Sequence, residues 1–476
     1  MARRAKIAAT LGPACDSRKV LGEMIESGMD IARLNFSHGT PDDHRKRASR
    51  LRTVSRKLGT DLALVADLQG PRFRVGTLNG GSLELVDGER VEVLAGRKRA
   101  PAGSIPVSYA ALSSDVRPKD RILIDDGKID LRVISVKGDV VRCEVARGGT
   151  ISDNKGINLP GCQLSVPTLT RKDRHDLRTA VEIGADWLAI SFVRSADDLR
   201  TARKQLQRVG SDLPLLAKIE RPEAVDQLGD ILEASDGILV ARGDLGVELP
   251  PERVPILQKQ IIERANAAGK PVMTATQMLE SMRHSPRPTR AEASDVANAV
   301  LDGSSSLLLT AETAAGDFPT DAVTMMDSII LQAEGTGRMH VAGRPSGDLS
   351  VALTVARAGC RAAYDVRASH IVVFTQSGFS AMQAARFRPS TPILAFSPSR
   401  KVCRQLRVHW GIEPRKLPNL RSIEALMAAL DDVLLEQEWV QPGDIVVVLS
   451  GSPIGVTGTT NLMKVHRVGT ALGNRR

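Results

Sequence analysis

Three polar residues, Arg33, Asn35 and Ser37, alternate with apolar residues at the end of a short apolar run. Side chains alternate across a β-strand, so the three share one face. Three polar groups on one face of an otherwise buried strand are costly unless a ligand satisfies them. The pattern therefore predicts a ligand site, the alternative being a solvated loop with a stray arginine.

A second set of residues joins a lysine to carboxylates. Lys218 and Glu220 lie two residues apart at the end of one apolar run, and Asp244 follows the next run beside Gly243. Two carboxylates with substrate oxygens are the usual ligands of Mg²⁺, and a glycine lets the backbone approach an anion. Thr276 brings a hydroxyl to the end of a further run. Lys218 and Glu220 could equally be an internal ion pair.

These residues stand where the strands of a parallel (β/α)₈ barrel, the TIM barrel, should end. Eight short apolar runs alternate with amphipathic stretches across residues 5–335, which favours parallel strands covered by helices. Eight such units in one series predict a closed barrel with its chemistry at the C-terminal strand ends. The predicted strands are Lys6–Thr10, Ile31–Phe36, Leu62–Asp67, Trp187–Phe192, Leu215–Ile219, Gly237–Ala241, Pro271–Ala275 and Ser306–Thr310.

The barrel series is interrupted once and is followed by a further domain. Short alternating segments separated by turn residues predict an inserted all-β domain, like a small β-barrel, over the barrel mouth. After a Gly-rich linker the βα rhythm resumes at Ile371–Phe374, which predicts a small open α/β domain. The predicted bounds are 1–71 and 168–342 for the barrel, 72–167 for the inserted lid domain and 343–476 for the C-terminal domain.

The composition restricts the class of protein. The net charge is +10, but basic and acidic residues are mixed and aromatic residues make up 3%. This disfavours nucleic-acid binding and favours polyanionic small molecules. The five cysteines show no Cys-x-x-Cys spacing, so neither zinc nor disulfides are expected, as in a reducing cytosol. With no secretory signal and no apolar run of roughly 20 residues, we expect a cytoplasmic protein without membrane partners.

Seven blocks of the sequence resemble those of the pyruvate kinase family, and they occur in family order across nearly the whole chain. The resemblance implies an enzyme that transfers the phosphoryl group of phosphoenolpyruvate to ADP, giving ATP and pyruvate in the last step of glycolysis. The blocks are Ala32–Gly39, Asp67–Arg74, Asn154–Pro160, Ala217–Glu220, Ala241–Glu248, Ala275–Met282 and Gly451–Gly469.

The resemblance implies roles for the residues around the substrate. Lys218 would stabilise the transferring phosphoryl group and the developing enolate, since phosphoryl transfer depends on positioning and electrostatics. Arg33 would clamp the phosphate. Thr276, with the backbone of Gly243 and Asp244, would bind the substrate carboxylate, and Thr276 would help to relay a proton to the enolate.

The resemblance also implies the metal and nucleotide contacts. Glu220 and Asp244 would hold Mg²⁺, or Mn²⁺ in its place. The implied contacts of ADP and ATP are Asn35, His38, Arg74 and Lys155. Because Lys155 lies on the inserted domain, closure of that domain would complete the site and exclude water.

One block departs from the family pattern. The family usually has an acidic residue at position 72, near an essential K⁺ held at the positions of Asn35, Ser37, Asp67 and Leu68. Here position 72 is Arg72, which reverses the local charge. A tethered guanidinium could replace the ion and would repel it, as in the potassium-independent branch of the family. We therefore expect no K⁺ requirement, unless Arg72 only points to solvent.

The C-terminal domain resembles the regulatory domain of the family. One of its loops stands between a strand and a helix, which suits a phosphate at the helix N-terminus. The resemblance implies a phosphorylated allosteric effector there, and a homotetramer; the alternative for the loop is a plain strand–helix turn. The loop residues are Thr375, Gln376, Ser377, Gly378 and Ser380.

Two other functions remain open on the sequence alone. A magnesium-dependent lyase or aldolase would share the acidic pair but would lack the inserted domain that carries Arg74 and Lys155. A non-catalytic metabolite sensor would have no reason to keep Lys218. ADP-dependent formation of pyruvate distinguishes the three functions.

Overall fold

The computed structural model confirms the closed barrel. Its eight parallel strands pair in sequence order around the ring, and the first pairs with the eighth. The fourth strand ends before the predicted Phe192, because Phe192 has a φ of +55° that an extended strand does not accommodate. The structure describes residues 3–337, 350–418, 422–452 and 459–469. The barrel strands are Lys6–Thr10, Met29–Asn35, Ala63–Asp67, Trp187–Ile190, Leu215–Ile219, Gly237–Ala241, Val272–Ala275 and Ser306–Leu309.

Helices cover the barrel strands from outside. Three of them begin with reciprocal hydrogen bonds between a threonine, at Thr40, Thr170 or Thr289, and an acidic residue three positions later. The helices of the barrel domain are Arg18–Glu26, Pro41–Lys57, Arg171–Glu182, Ala196–Arg208, Pro222–Asp226, Leu228–Ala234, Arg242–Glu248, Val254–Ala267, Arg290–Leu301, Ala311–Ala314 and Pro319–Gly335, with 3₁₀ turns at Pro13–Cys15, Pro251–Arg253 and Glu280–Arg283.

The inserted domain is mainly β, with one four-residue helix, Leu112–Asp115, that the alternating pattern did not predict. A seven-stranded sheet and a two-stranded sheet enclose an apolar core of the domain's own. Its strands are Phe73–Arg74, Ser82–Leu85, Arg90–Ala95, Ser104–Val107, Arg121–Ile124, Ile129–Lys137, Val140–Arg147, Gly149–Ser152 and Gly156–Asn158.

The C-terminal domain is a five-stranded sheet with helices, as the βα rhythm predicts. Four strands are parallel and the last, Thr460–Arg467, runs antiparallel at one edge. The predicted domain boundary at 342–343 and part of the block Gly451–Gly469 lie outside the described residues. In sheet order the strands are Ile412–Lys416, Ile393–Ser397, His370–Phe374, Ile445–Gly451 and Thr460–Arg467; the helices are Val351–Asp365, Phe379–Arg386, Arg400–Leu406 and Ile423–Glu436.

The C-terminal domain packs on the N-terminal end of the barrel, opposite the predicted site. Asp186, just before the fourth strand, is fully buried between Arg52 at 2.7 Å and Arg404 of the C-terminal domain at 2.8 Å. The indole N–H of Trp187 donates to the Gln405 carbonyl at 3.0 Å. In the part of the chain that the structure describes, no helix is long and apolar enough to cross a membrane.

Candidate active site

The C-terminal strand ends bring two cations to one buried carboxylate, Asp67. Asp67 Oδ2 lies 2.8 Å from Nε and 2.8 Å from Nη2 of Arg33, and its Oδ1 lies 3.3 Å from Lys218 Nζ. Burial alone would raise the pKa of Asp67, but the charges of Lys218 and Arg33 hold it below its usual value. Asp67 therefore remains ionised and fixes both cations at one edge of the mouth.

Lys218 lies among three oxygen partners and is buried. Its Nζ is 2.8 Å from Glu220 Oε1 and donates to Ser191 Oγ at 2.8 Å, in addition to its contact with Asp67. Burial lowers the pKa of Lys218, but the two carboxylates raise it above its ordinary value. Lys218 is consequently a fixed positive charge that two carboxylates and a hydroxyl hold in place.

Sequence reasoning missed two residues that position these cations. Ser191 follows the fourth strand directly and also donates to the Leu68 carbonyl at 2.7 Å. Thr10 ends the first strand, and its Oγ1 accepts a hydrogen bond from Arg33 Nη1 at 3.0 Å. The signal was available, because both hydroxyls stand at C-terminal strand ends, where the other candidates were sought.

Glu220 and Asp244 offer the oxygens that a divalent cation needs. Glu220 Oε2 accepts the Phe192 N–H at 2.7 Å, and its buried Oε1 faces Lys218 Nζ at 2.8 Å. Burial raises the pKa of Glu220; Lys218 opposes this shift and Asp244 adds to it. Asp244 Oδ1 has Arg72 Nη2 at 3.8 Å. Two carboxylates close enough for their charges to interact are a donor set that fits Mg²⁺.

The candidate metal ligands at the mouth are two carboxylates, Glu220 and Asp244. Mg²⁺ is commonly bound through one or two carboxylates, with substrate oxygens and water completing its shell. Within the described ranges no group of three or more histidine, cysteine or acidic residues is placed to hold a metal.

Thr276 and Gly243 meet at the ends of the sixth and seventh strands. Thr276 has a φ of +72°, and its Oγ1 accepts the Gly243 N–H at 2.7 Å. Arg242 fixes this turn, because its Nη2 donates to the Thr276 carbonyl at 2.7 Å and its Nη1 binds Asp295 Oδ1 at 2.6 Å. An anion that accepts the Gly243 N–H must displace the Thr276 hydroxyl from it, so the anion would lie beside both Gly243 and Thr276.

The predicted nucleotide contacts divide between the barrel and the lid. Asn35 Oδ1 accepts the Ser37 N–H at 3.0 Å on the barrel rim, and His38 follows at the exposed edge. Partial burial and then the charges of neighbouring arginines lower the pKa of His38. On the lid, Arg74 Nη1 donates to the Asn154 carbonyl at 2.8 Å, and Lys155 Nζ lies 2.9 Å from Asp125 Oδ1. Both cations are thus held by their own domain.

The four positions predicted for a monovalent cation lie around one rim of the mouth. Asn35 and Ser37 are half-buried and alternate with the buried Leu34 and Phe36, as strand alternation predicts. Asp67 is engaged by Arg33 and Lys218, as described above. The side chain of Leu68 is buried and its carbonyl accepts the Ser191 hydroxyl.

Arg72 lies in a cleft of about 600 Å³ between the lid and the barrel, which Asp244 and Phe192 also line. The turn that carries it depends on Gly70, whose φ is +68° and where a Cβ would lie 2.9 Å from the Phe192 ring. Across the cleft, Asn158 of the lid donates to Glu248 Oε1 of the barrel at 3.0 Å. The guanidinium of Arg72 therefore lies next to the predicted metal pair.

The predicted effector loop forms a tight turn before the helix Phe379–Arg386. Gly378 has a φ of +90°, and its N–H donates to Thr375 Oγ1 at 2.9 Å. The Ser380 hydroxyl is buried against that of Thr460 on the edge strand. Gln376 and Ser377 lie between these two contacts.

A fixed lysine and a carboxylate pair at the mouth of a lidded (β/α)₈ barrel can stabilise the negative charge of a transferring phosphoryl group. Residues 2–323 match the family model of the pyruvate kinase barrel domain, and residues 353–466 match that of the pyruvate kinase alpha/beta domain. The chain belongs to the pyruvate kinase family, whose members are magnesium-using phosphotransferases.

Individual relatives agree with the family models. The chain is 43% identical to a pyruvate kinase of Mycobacterium tuberculosis over 98% of this chain and 99% of the relative. It is 42% identical to one of Corynebacterium glutamicum over 98% of each. A crystal structure of a pyruvate kinase from Cryptosporidium parvum superimposes with a TM-score of 0.91 at 34% identity, covering 98% of this chain and 96% of that one.

Proposed function

We propose that this chain transfers the phosphoryl group of phosphoenolpyruvate to ADP, forming ATP and pyruvate. The observation that carries the proposal is the cluster in which Arg33 and Lys218 share Asp67 beside Glu220 and Asp244. The transition state spreads negative charge over the oxygens of the phosphoryl group. Cations that are already fixed stabilise this charge without reorganisation at the moment of reaction.

Arg33 binds the substrate phosphate through the guanidinium edge that Asp67 and Thr10 leave open. Lys218 turns its ammonium group from Glu220 towards the phosphoryl oxygens and then towards the enolate oxygen. Glu220 and Asp244 hold Mg²⁺, which, when bound, neutralises charge on the substrate phosphate and carboxylate. The raised pKa of Lys218 keeps it protonated throughout.

The substrate carboxylate binds at Gly243, Asp244 and Thr276. It accepts the backbone N–H groups of the turn, including the Gly243 N–H that Thr276 Oγ1 now accepts, and the Thr276 hydroxyl turns its proton from the Ala275 carbonyl to the carboxylate. The same hydroxyl relays a proton to the enolate carbon and so completes pyruvate. Arg242 keeps the turn in place through its bonds to Thr276 and Asp295.

ADP binds between the barrel rim, at Asn35 and His38, and the lid, at Arg74 and Lys155. The low pKa of His38 keeps its imidazole neutral beside these cations, so that it accepts or donates a hydrogen bond without adding charge. Lys155 exchanges Asp125 for a nucleotide phosphate when the lid closes. Closure also excludes water from the phosphoryl transfer.

An assay of pyruvate formation with and without ADP tests this function. The wild type should form pyruvate only with both substrates and Mg²⁺, and Lys218→Ala should lower kcat at least about a thousandfold. Lys401→Ala, on the exposed side of the C-terminal domain, is the matched control and should match the wild type. Pyruvate formed without ADP would indicate a lyase, and no turnover by the wild type would indicate a sensor.

We further propose that Arg72 removes the need for K⁺. Its guanidinium lies 3.8 Å from Asp244 and its charge acts on His38, so a fixed cation already stands between the metal pair and the nucleotide side. In K⁺-free buffer with a large organic cation, added KCl should change activity less than about twofold. Activation of about tenfold or more would contradict the proposal.

The reverse substitution provides a sharper test of the same proposal. Arg72→Glu should create a dependence on K⁺, because it restores a carboxylate where the potassium-dependent members have one. Arg72→Gln, which removes the charge without restoring the carboxylate, is the matched control. An active Arg72→Glu enzyme that is indifferent to K⁺ would count against a role for position 72.

The remaining assignments complete the proposal. The chain acts in the cytoplasm. Its domains are the barrel at 1–71 and 168–342, the lid at 72–167 and the C-terminal domain at 343–476. A phosphorylated effector binds the loop at 375–380. It assembles as a homotetramer. Support comes from the strand Thr460–Arg467, which lies at a sheet edge among the described residues and exposes Met463 and Val465, and from Ile256, which is exposed on a barrel helix. Light scattering would test the mass, and a monomer would contradict the assembly.

A further inference from the structure

A second cluster of cations lies at the opposite end of the barrel, where the C-terminal domain docks. Lys270, Arg386 and Arg388 line a small cavity, together with Trp410 and His409. Among the residues that the structure describes, no aspartate or glutamate lines this cavity. We name it the rear pocket; the effector loop at 375–380 does not contribute to it.

Arg388 is the most unusual member of the rear pocket. Its Nη2 donates to the neutral oxygens Asn266 Oδ1 and Gly303 O, and its guanidinium stacks on Trp410 at 5.0 Å from the ring centroid. Its Nη1 is shielded from solvent and has no hydrogen-bond partner. A buried guanidinium without a carboxylate is costly, because neutral acceptors do not compensate its charge.

Arg386 repeats this pattern on the adjacent wall. Its Nη2 donates to the Ala267 carbonyl, while its Nε is shielded and unpartnered. The arginine lies against Gly269, where a Cβ would approach Arg386 Cδ to 3.0 Å, so the glycine makes room for it. Arg386 and Arg388 therefore both line this small cavity, and each has one shielded guanidinium nitrogen without a hydrogen-bond partner.

Burial governs the pKa of these cations, although Lys270 donates to the Ser235 carbonyl at 2.6 Å and the charges of Asp236 and Glu334 act on Lys270 and Arg388, respectively. Burial lowers the pKa of Lys270, of Arg386 and of Arg388, the last to about 9. His409 is neutral in this pocket, because burial lowers its pKa to about 4. The positive charge at the rear pocket thus rests on one lysine and two arginines, and a bound anion would offset their desolvation.

The rear pocket continues into a larger cleft of about 370 Å³, with which it shares Lys270, Met382 and His409. The cleft is lined by the apolar Trp187 and Phe379, by Ser377 and by the acidic Asp212 and Asp236. The rear pocket itself has room for no more than a small anion, and an organic group attached to that anion would lie in the cleft.

From this geometry we propose that the rear pocket is an anion site for a phosphoryl dianion, held between Arg386, Arg388 and Lys270. Arginine pairs with phosphate through two parallel N–H bonds, and lysine adds a point charge. Inorganic phosphate and the end group of a phosphate monoester share this chemistry. The site lies between the barrel and the C-terminal domain, so its occupancy stabilises their docking.

Titration calorimetry of the full chain with inorganic phosphate tests the proposal, with tryptophan fluorescence as a second readout because Trp410 lies under Arg388. The wild type should bind saturably, and Arg388→Gln should weaken binding about tenfold or more, since it removes a charge-assisted pair. Arg361→Gln, exposed on a helix of the same domain, should bind as the wild type does. Lys218→Ala and Thr375→Ala should also retain this binding, which excludes the mouth and the effector loop as its source.

Binding of phenyl phosphate distinguishes a site for a phosphate monoester from a site for free phosphate. Binding about tenfold tighter than inorganic phosphate would assign the site to a monoester whose organic group lies in the cleft; equal or weaker binding would assign it to free phosphate. Arg388→Lys, which keeps the charge, should restore part of the affinity if Arg388→Gln is poorly folded. Absence of saturation in the wild type up to about 10 mM, or equal binding by the wild type and a folded Arg388→Gln, would overturn the proposal.

Discussion

The barrel holds buried cations at both of its ends, with different partners at each. At the mouth, Lys218 lies within 3.3 Å of two carboxylates, and these raise its pKa despite burial. In the rear pocket, burial lowers the pKa of Arg388 to about 9, because its acceptors are neutral. The cations of the mouth are therefore balanced before a substrate arrives, whereas Asp236 and Glu334 offset the burial of the rear-pocket cations only in part.

The carboxylates beside the cations of the mouth matter for the proposed catalysis. A substrate phosphate at the mouth must compete with Asp67 and Glu220 for the same cations, but it finds them already oriented. Preorganised charge of this kind acts on the transition state with little reorganisation. The rear pocket lacks such internal carboxylates, and this suits binding rather than turnover.

The largest expected effect comes from removing the carboxylate that Arg33 and Lys218 share at the mouth. Asp67→Asn removes the negative charge that Arg33 and Lys218 share and leaves a single acceptor oxygen for both cations. Removing one partner of a buried ion pair typically costs about 3–5 kcal/mol, and the misplaced cations should lower kcat roughly a hundredfold. Urea unfolding and the pyruvate assay measure the two effects.

The control for this prediction is Asp139→Asn, which removes an exposed partner of Arg97. Exposed pairs contribute about 0–1 kcal/mol, so this variant should be close to the wild type in both measurements. An Asp67→Asn enzyme with wild-type stability and kcat would show that Asp67 does not organise the mouth.

Acid sensitivity at the rear pocket is the next largest effect. His409 has a folded pKa of about 4, below the ordinary value near 6.5, so the unfolded chain binds the proton more readily. Stability is therefore lost as the pH falls from about 6.5 towards 4, by about 3 kcal/mol from this residue. His409→Gln should reduce that loss when urea unfolding is compared at the two ends of this range.

His284 provides the matched control, because it pairs with Asp317 on the exposed surface. His284→Gln should leave the acid-induced loss of stability unchanged. If His409→Gln loses as much stability in acid as the wild type does, the neutral histidine assigned to the rear pocket is wrong.

The smallest expected effect concerns the lid. Asn158→Ala removes the hydrogen bond to Glu248, which should cost about 1 kcal/mol and loosen the lid. We expect KM for ADP to rise about threefold to fivefold with kcat little changed, because a looser lid costs more to close. Asn461→Ala, in the C-terminal domain, is the control, and a fall in kcat without a change in KM would contradict this role.

The sequence predicted the barrel because its parallel strands are buried on both faces and read as apolar runs. It predicted Arg33, Lys218, Glu220, Asp244 and Thr276 because these polar residues interrupt such runs at strand ends. The edge strands Ile412–Lys416 and Thr460–Arg467 were missed, since charged residues and proline at an edge obscure the alternation.

The rest of the site depends on contacts between distant residues, which local patterns do not report. Asp67 was predicted as a cation ligand, but its pairing with Arg33 and Lys218 required the closed ring that brings the second, third and fifth strands together. The rear pocket could not be predicted from the sequence for the same reason, because Lys270 and Arg388 belong to different domains.

Equal formation of ATP and pyruvate would directly demonstrate phosphoryl transfer to ADP. With phosphoenolpyruvate limiting and with ADP and Mg²⁺ in excess, ATP and pyruvate should be measured in the same quenched samples. We expect them to form together in equal amounts at every time point, and neither to form when ADP is omitted. Pyruvate in excess of ATP, or pyruvate without ADP, would contradict phosphoryl transfer at this barrel mouth.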